Sequence, residues 1–190
     1  MKDQIRVLGI DDGPFKFGQK TVPIIGVVLR VPNYIEGICR SKVTVDGSDS
    51  NKKLIVMLNK SHYLDQIRLI MFDGVALGGF NVVDIEKLYN KLKIPITTIT
   101  RAKPDLELIK DTLKKHFDDW QIRWDGINNL ELVRLETNYK PLYIKHIGIS
   151  LPELKRIFAL TTVRGVLPEP IRVAHLIATA VVKGESMGKA

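Results

Sequence analysis

Residues 69–72, Leu-Ile-Met-Phe, complete the run "IRLIMF" (67–72), and the run stops at a carboxylate, Asp73, followed by glycine. A strand without polar alternation has both faces covered, as does a central strand in a sheet sandwiched by helices. The first third of the chain reads differently. "IRVLGI" (5–10), "VPIIGVVLRV" (22–31) and "ICRSKVTV" (38–45) are strand candidates, the last alternating apolar and polar as a half-buried strand does. Turn-rich "DDGP" and "PNYIEG" join them into an antiparallel meander. "DGSD" (46–49) ends the third strand, and Asp49 or Ser50 is placed to cap a helix over about 51–63. Beyond the central run, Val82, Val83, Ile85, Leu88 and Leu92 keep helical spacing, which predicts a helix over about 82–92. "IPITTIT" (94–100) is a further strand, and "PDLELIKDTLKKHF" (104–117) opens with proline at a helix N-terminus. "LELVRLE" and "PLYIKHIGI" are late strand candidates, while "SLPELKRIFALTT" and "PEPIRVAHLIATAVVKG" read as closing helices.

A meander followed by right-handed crossovers makes a mixed α/β sheet with helices on both faces. If the chain crosses back after the third strand, strand 67–72 lies parallel beside strand 5–10. The order becomes 3-2-1-4-5, with a crevice at the carboxyl ends of strands one and four. That is the ribonuclease H-like arrangement. A doubly wound, flavodoxin-like sheet would instead place a helix directly after the first strand. The 190 residues suit one domain, 1–190, and 45% hydrophobic residues with mean hydropathy near zero describe an ordinary globular chain. No apolar run approaches the roughly 20 residues of a spanning helix, and "MKDQIRVLGI" is too short to be a signal peptide. The single cysteine, Cys39, excludes an intrachain disulfide framework and a cysteine-rich zinc cluster, and fits a reducing, cytoplasmic setting. A net charge of +8 favours an acidic partner, most simply a nucleic acid. The basic residues are scattered, so folding must assemble any binding surface.

With strands one and four adjacent and parallel, Asp73 faces the pair Asp11–Asp12, whose side chains point to opposite sides of the sheet. Carboxylates that close repel unless a proton or cation lies between them. A divalent ion with oxygen ligands resolves this, and a carboxylate-bound metal in a basic protein suits phosphodiester cleavage. Asp46 and Asp49 in "VDGSDS" are candidates for a third acid, with Glu36 an outsider; for each, a turn or helix-cap role is the competing reading. Gly74, Gly78 and Gly79 lie between the buried strand and a helix starting near Asn81. Glycine permits close approach and positive φ, and a helix N-terminus offers unpaired amides. "GVALGGFN" is therefore expected to line the substrate path, with amides near 79–82 meeting a phosphate or an extruded nucleotide. Tight packing of loop on sheet is the alternative. "GVALGG" lacks the "GK[ST]" and "GxGxxG" of phosphate loops.

"VLGIDDGPF", "VTVDGSD", "IMFDGVALGGFNVVDIEKL", "PITTITR" and "LPEPIRVAHLIATAVVKGES" together resemble the archaeal endonuclease dU family over nearly the whole chain. That family is in turn similar to endonuclease V. The resemblance implies a metal-dependent endonuclease acting on DNA near a deaminated base, with magnesium or manganese as cofactor. "GID" matches the "GVD" of endonuclease V and makes Asp11 the first metal ligand; "FDGVALGGFNVVD" makes Asp73 the second. The acid before the first long helix matches a glutamate there, which selects Asp49 as the third, and Asp12 or Asp46 would assist. Arg101 stands where endonuclease V has a lysine. "LPEPIRVAHL" matches "LPEPTRLAxxL", and "PLYIKHIGISL" resembles "PxYVSxGHRISL". The histidine of that last motif has no exact counterpart, since Ile149 follows the glycine and His146 precedes it by two. The "PYxPG" segment that meets the damaged base is missing, so base specificity rests on the family's name alone. Trp120 and Trp124 read as core or helix-end packing. His62, His116 and His175 show no metal-ligand spacing, and His175 falls on the core-facing or solvent stripe of a helix. A non-catalytic nucleic-acid-binding protein and a small-molecule phosphohydrolase are the alternative functions.

Overall fold

The computed structural model describes residues 4–16 and 18–187. Three antiparallel strands come first: β1 (Arg6–Asp12), β2 (Thr21–Arg30) and β3 (Tyr34–Thr44). Helix α1 (Ser50–Asn59) crosses over to β4 (Ile67–Asp73), and a two-stranded ribbon, β5 (Ala76–Leu77) with β6 (Asn81–Val82), leads into α2 (Ile85–Leu92) and β7 (Ile96–Thr100). Helices α3 (Leu106–His116) and α4 (Trp120–Asn128) precede β8 (Val133–Leu135) and β9 (Leu142–Ile147), and α5 (Leu151–Thr161) and α6 (Glu169–Lys183) follow. Seven strands form one sheet in the order β3-β2-β1-β4-β7-β9-β8, with β4 parallel to both β1 and β7. The expected order 3-2-1-4-5 occupies the first five places. The two late strands extend that edge, β9 antiparallel to β7 and β8 antiparallel to β9. No helix among the described residues is long and apolar enough to cross a membrane.

Local chemistry explains where the elements differ from expectation. Helix α1 stops at Asn59 rather than near 63, in a polar stretch, and a 3-10 turn over Leu64–Gln66 leads into β4. Helix α2 starts at Ile85 rather than 82, because Asn81–Val82 pair with Ala76–Leu77 and the Asp84 side chain accepts from the Lys87 N–H at 3.0 Å as an N-cap. The segment "WQIRWDGIN" forms α4, which the sequence reading did not include. Its tryptophans sit beneath lysines of α3, Lys114 over Trp120 at 5.4 Å and Lys110 over Trp124 at 5.1 Å, so both are helix-packing residues.

Strand alternation sorts the core. Leu8 and Ile10 of β1 with Ile70 and Phe72 of β4 pack under α1 and α2, whereas Val7 of β1 with Leu69 and Met71 of β4 pack against α5 and α6. Helix α6 lies directly on β1 because Gly9 has no side chain there. A Cβ at Gly9 would come within 2.2 Å of the Pro170 carbonyl carbon, in the first turn of α6. That contact fixes how far along β1 the helix sits. Gly9→Ala is expected to destabilise the fold by about 1–3 kcal/mol through overpacking, read as a lower urea midpoint. A wild-type midpoint would mean that α6 can shift freely.

Candidate metal centre

Asp11 and Asp73 follow the paired residues Ile10 and Phe72 on neighbouring parallel strands. Both continue the side-chain parity of the face covered by α6. Strands about 4.8 Å apart bring the two carboxylates together. Helix α6 adds an imidazole: His175 Nδ1 lies 2.8 Å from Asp11 Oδ2. One ligand atom each from Asp11, Asp73 and His175 lie within 4.8 Å of one another. Arg101, just past the end of β7, holds its Nη2 3.8 Å from Asp73 Oδ2 with its side chain 47% exposed, so most of its donors remain available to a ligand. These groups open onto a cavity of about 860 Å³ whose walls include Asp12, Phe15 and Lys183.

Asp11 is 5% exposed. Burial, then the neighbouring charges of Asp73 and Asp12, push its carboxyl up to about 8, although the Asp12 N–H donates to its Oδ1 at 2.8 Å. Burial likewise raises Asp12 to about 6 and raises Asp73, the latter opposed by Arg101 and His175. Two carboxylates held above their ordinary range chiefly by burial, beside an imidazole, fit a hard divalent cation such as magnesium or manganese.

The remaining sequence candidates divide. Asp12 points to the other side of β1, and its Oδ2 accepts from the Gly78 N–H at 3.0 Å. Asp46 (φ 54°) accepts from the Phe80 N–H at 2.8 Å. Asp49 stands apart from the Asp11–Asp73–His175 group. Its carboxylate accepts from the Thr44 N–H (3.1 Å), Thr44 Oγ1 (3.0 Å) and Asn81 Nδ2 (2.7 Å). Against the desolvation of its site, these bonds hold Asp49 below the usual carboxylate range. The structure thus does not bring Asp49 to the expected metal set; it engages the Asp49 carboxylate at the β3–α1 junction instead. Glu36 is bound by Arg6 and Arg30 at the other end of β1. The glycine turn is held by its own chain. Asn81 is fully buried and ties Thr44, Asp49 and Ser50 together. A Cβ at Gly78 would meet Val22 at 2.8 Å, and one at Gly79 would meet Asp46 at 2.3 Å. Gly74 turns the chain at φ 81° while its N–H bonds Ile99. The turn amides do bind anions, but the anions are Asp12 and Asp46 of the same chain. His146 packs in the sheet, its Nδ1 3.0 Å from the Ile149 carbonyl.

His175 corrects the reading of it as an ordinary stripe residue. It sits one position past Ala174, at the flank of the buried Ile171–Ala174–Ala178 stripe. A titratable residue flanking the helix stripe that packs on the aspartate-bearing strand is the signal that would have found it.

The sequence model of the endonuclease dU family matches residues 3–182. A UPF0215 protein of Methanosarcina acetivorans is 43% identical over 193 residues, which cover 100% of this chain and 97% of the relative. A protein of unknown function from Archaeoglobus fulgidus superposes with a TM-score of 0.86 at 32% identity, over 95% of this chain and 100% of that one. Endonuclease V of Ciona intestinalis, solved in complex with a DNA containing an inosine, shares the fold with a TM-score of 0.59 at 16% identity, over 92% of this chain and 84% of its own. The fold is ribonuclease H-like.

The raised carboxyls set the pH response. Without divalent ions, the unfolded chain releases the Asp11 proton near 4, whereas the folded chain keeps it until about 8. The folded state therefore binds more protons across that window, and stability falls as pH rises through it. Manganese must displace the proton, so its stabilisation is expected to grow from pH 6 to pH 8. Thermal melts with and without manganese check this, and Asp11→Asn should flatten both trends. Asp49→Asn is expected to lower the melting temperature yet leave the manganese-induced rise intact; loss of that rise would return Asp49 to the ligand set.

Proposed function

The chain belongs to the endonuclease dU family, and from that premise we propose that it is a divalent-metal-dependent endodeoxyribonuclease, a repair enzyme cutting the DNA backbone near a deaminated base such as deoxyuridine. The observation that carries this reading is the convergence of Asp11, Asp73 and His175 on one point beside Arg101. Asp11 and Asp73 would hold the metal, with His175 beside them. Magnesium or manganese, when bound, neutralises charge on the phosphate and lowers the pKa of a water.

The protein's own groups do the rest. With Asp11 ionised, His175 Nδ1–H donates to Asp11 Oδ2, leaving the Nε2 lone pair to accept a proton from the attacking water. Arg101 pairs its fork of N–H donors with phosphate oxygens, and Lys183 adds positive charge to the cavity wall. The net charge of +8 supports a polyanionic substrate. The family's name and the inosine-containing complex of the structural neighbour support a deaminated base as the recognised lesion. The lone cysteine supports a reducing, cytoplasmic setting, with residues 1–190 acting as one domain.

The test is strand cleavage on oligonucleotides carrying deoxyuridine, deoxyinosine or no lesion, with magnesium, manganese or chelator. Lesion-dependent, metal-dependent cutting is expected. Asp11→Asn and Asp73→Asn should abolish it while DNA binding persists. Arg101→Ala should slow it by about 100-fold with the manganese-induced melting shift unchanged. Binding without cutting by the wild type would make this a non-catalytic DNA-binding protein, and hydrolysis of free nucleotides alone would make it a small-molecule phosphohydrolase.

A further inference from the structure

A large apolar ring stands among the charged walls of the catalytic cavity. Phe15 lies three residues after Asp12, in the β1–β2 loop, and is 38% exposed. The cavity's charged groups answer to a phosphate and a metal, and a benzyl side chain answers to neither. At the tip of the ring is the glycine turn that the sequence singled out and the metal chemistry does not use. The Phe15 Cζ lies 3.5 Å from the point a Cβ on Gly79 would occupy. That turn is pinned from several sides. Asp12 Oδ2 accepts from the Gly78 N–H at 3.0 Å and Asp46 Oδ1 from the Phe80 N–H at 2.8 Å. The Asp46 N–H donates to the Gly78 carbonyl at 2.8 Å, and Arg123 Nη1 donates to the Phe80 carbonyl at 2.7 Å. Arg123 is itself buried, its guanidinium 4.1 Å over the Phe117 ring, and Phe117 packs on Phe80 at 5.6 Å. An exposed ring whose tip rests on so fixed a base has little conformational freedom left for binding to take.

We propose that Phe15 is a stacking platform for a nucleobase of the substrate strand, with the Gly78–Phe80 turn as its brace. This rests on the reading of the substrate as nucleic acid and deepens it by naming a residue that contacts a base rather than the backbone. A phosphodiester strand presents two chemistries, anionic phosphates and flat π-faces. Arg101 and Lys183 meet the first and Phe15 the second. Because every base has a π-face, the platform orients the strand over Asp11 and Asp73 without selecting its sequence.

The experiment compares two single-stranded oligonucleotides of equal length, one of thymidine and one of abasic tetrahydrofuran residues throughout, with divalent ions chelated so that neither is cut. Wild type is expected to prefer the thymidine strand. Phe15→Ala should weaken binding to it by about 5- to 100-fold, the range of one aromatic–base stack, and leave the abasic strand unaffected; Phe15→Trp should restore the preference. Melting temperatures of the variants check folding, and if Phe15→Ala unfolds, Phe15→Leu keeps the apolar contact, lacks the π-face and is judged by the same ratio. An equal loss on both strands, or no loss on either, overturns the platform and leaves the nuclease reading standing. Failure of wild type to bind either strand overturns both.

Discussion

Two carboxylates buried side by side are an electrostatic burden that a fold must be arranged to carry. Asp11 and Asp73 sit at the ends of adjacent parallel strands, on one face, under a helix. Desolvation raises both, and the charges of Asp73 and Asp12 raise Asp11 further. The surrounding architecture supplies countercharge from several directions at once: an imidazole from α6, a guanidinium from beyond β7, and room for a cation between the acids. Neither the return of the chain that lays β4 parallel beside β1 nor the glycine contact that seats α6 is chemistry in itself. Together they bring the acids and the imidazole to one point.

The acids of this region show how neighbours assign roles. Asp46 and Asp49 find hydrogen-bond donors, Phe80 N–H for one and Thr44 and Asn81 for the other, and become fasteners. Asp11 has one backbone donor, the His175 imidazole and two acidic neighbours, and burial holds its carboxyl well above the usual range. Asp12 does both jobs, lining the cavity while its Oδ2 anchors Gly78. An ionised carboxylate only accepts hydrogen bonds, so the balance of donors against burial and like charge sets how readily it ionises.

That distinction also marks what could be read in the residues alone. The meander, the crossover and the facing of Asp11 and Asp73 follow from apolar periodicity and strand alternation, which are local properties. Asp49 could not be judged locally, because its donors come from Thr44 and from Asn81, 32 residues away. His175 was hidden for the opposite reason: its helix reads as a plain amphipathic stripe, and only docking on Gly9 turns its flank toward Asp11. The glycine turn was legible as an anion-binding shape. Nothing nearby in sequence said that the anions would be the chain's own.

Asp11 and His175 are 164 residues apart, the first strand meeting the last helix. During synthesis the strands bearing Asp11 and Asp73 leave the ribosome well before α6 does. Until α6 has emerged, the acids have neither the imidazole nor the wall that the helix contributes to the cavity. A nascent or truncated chain thus carries half a centre and no enclosure. Assembly order makes the meeting of acids and imidazole a property of the finished fold, reached only when its two distant ends have docked.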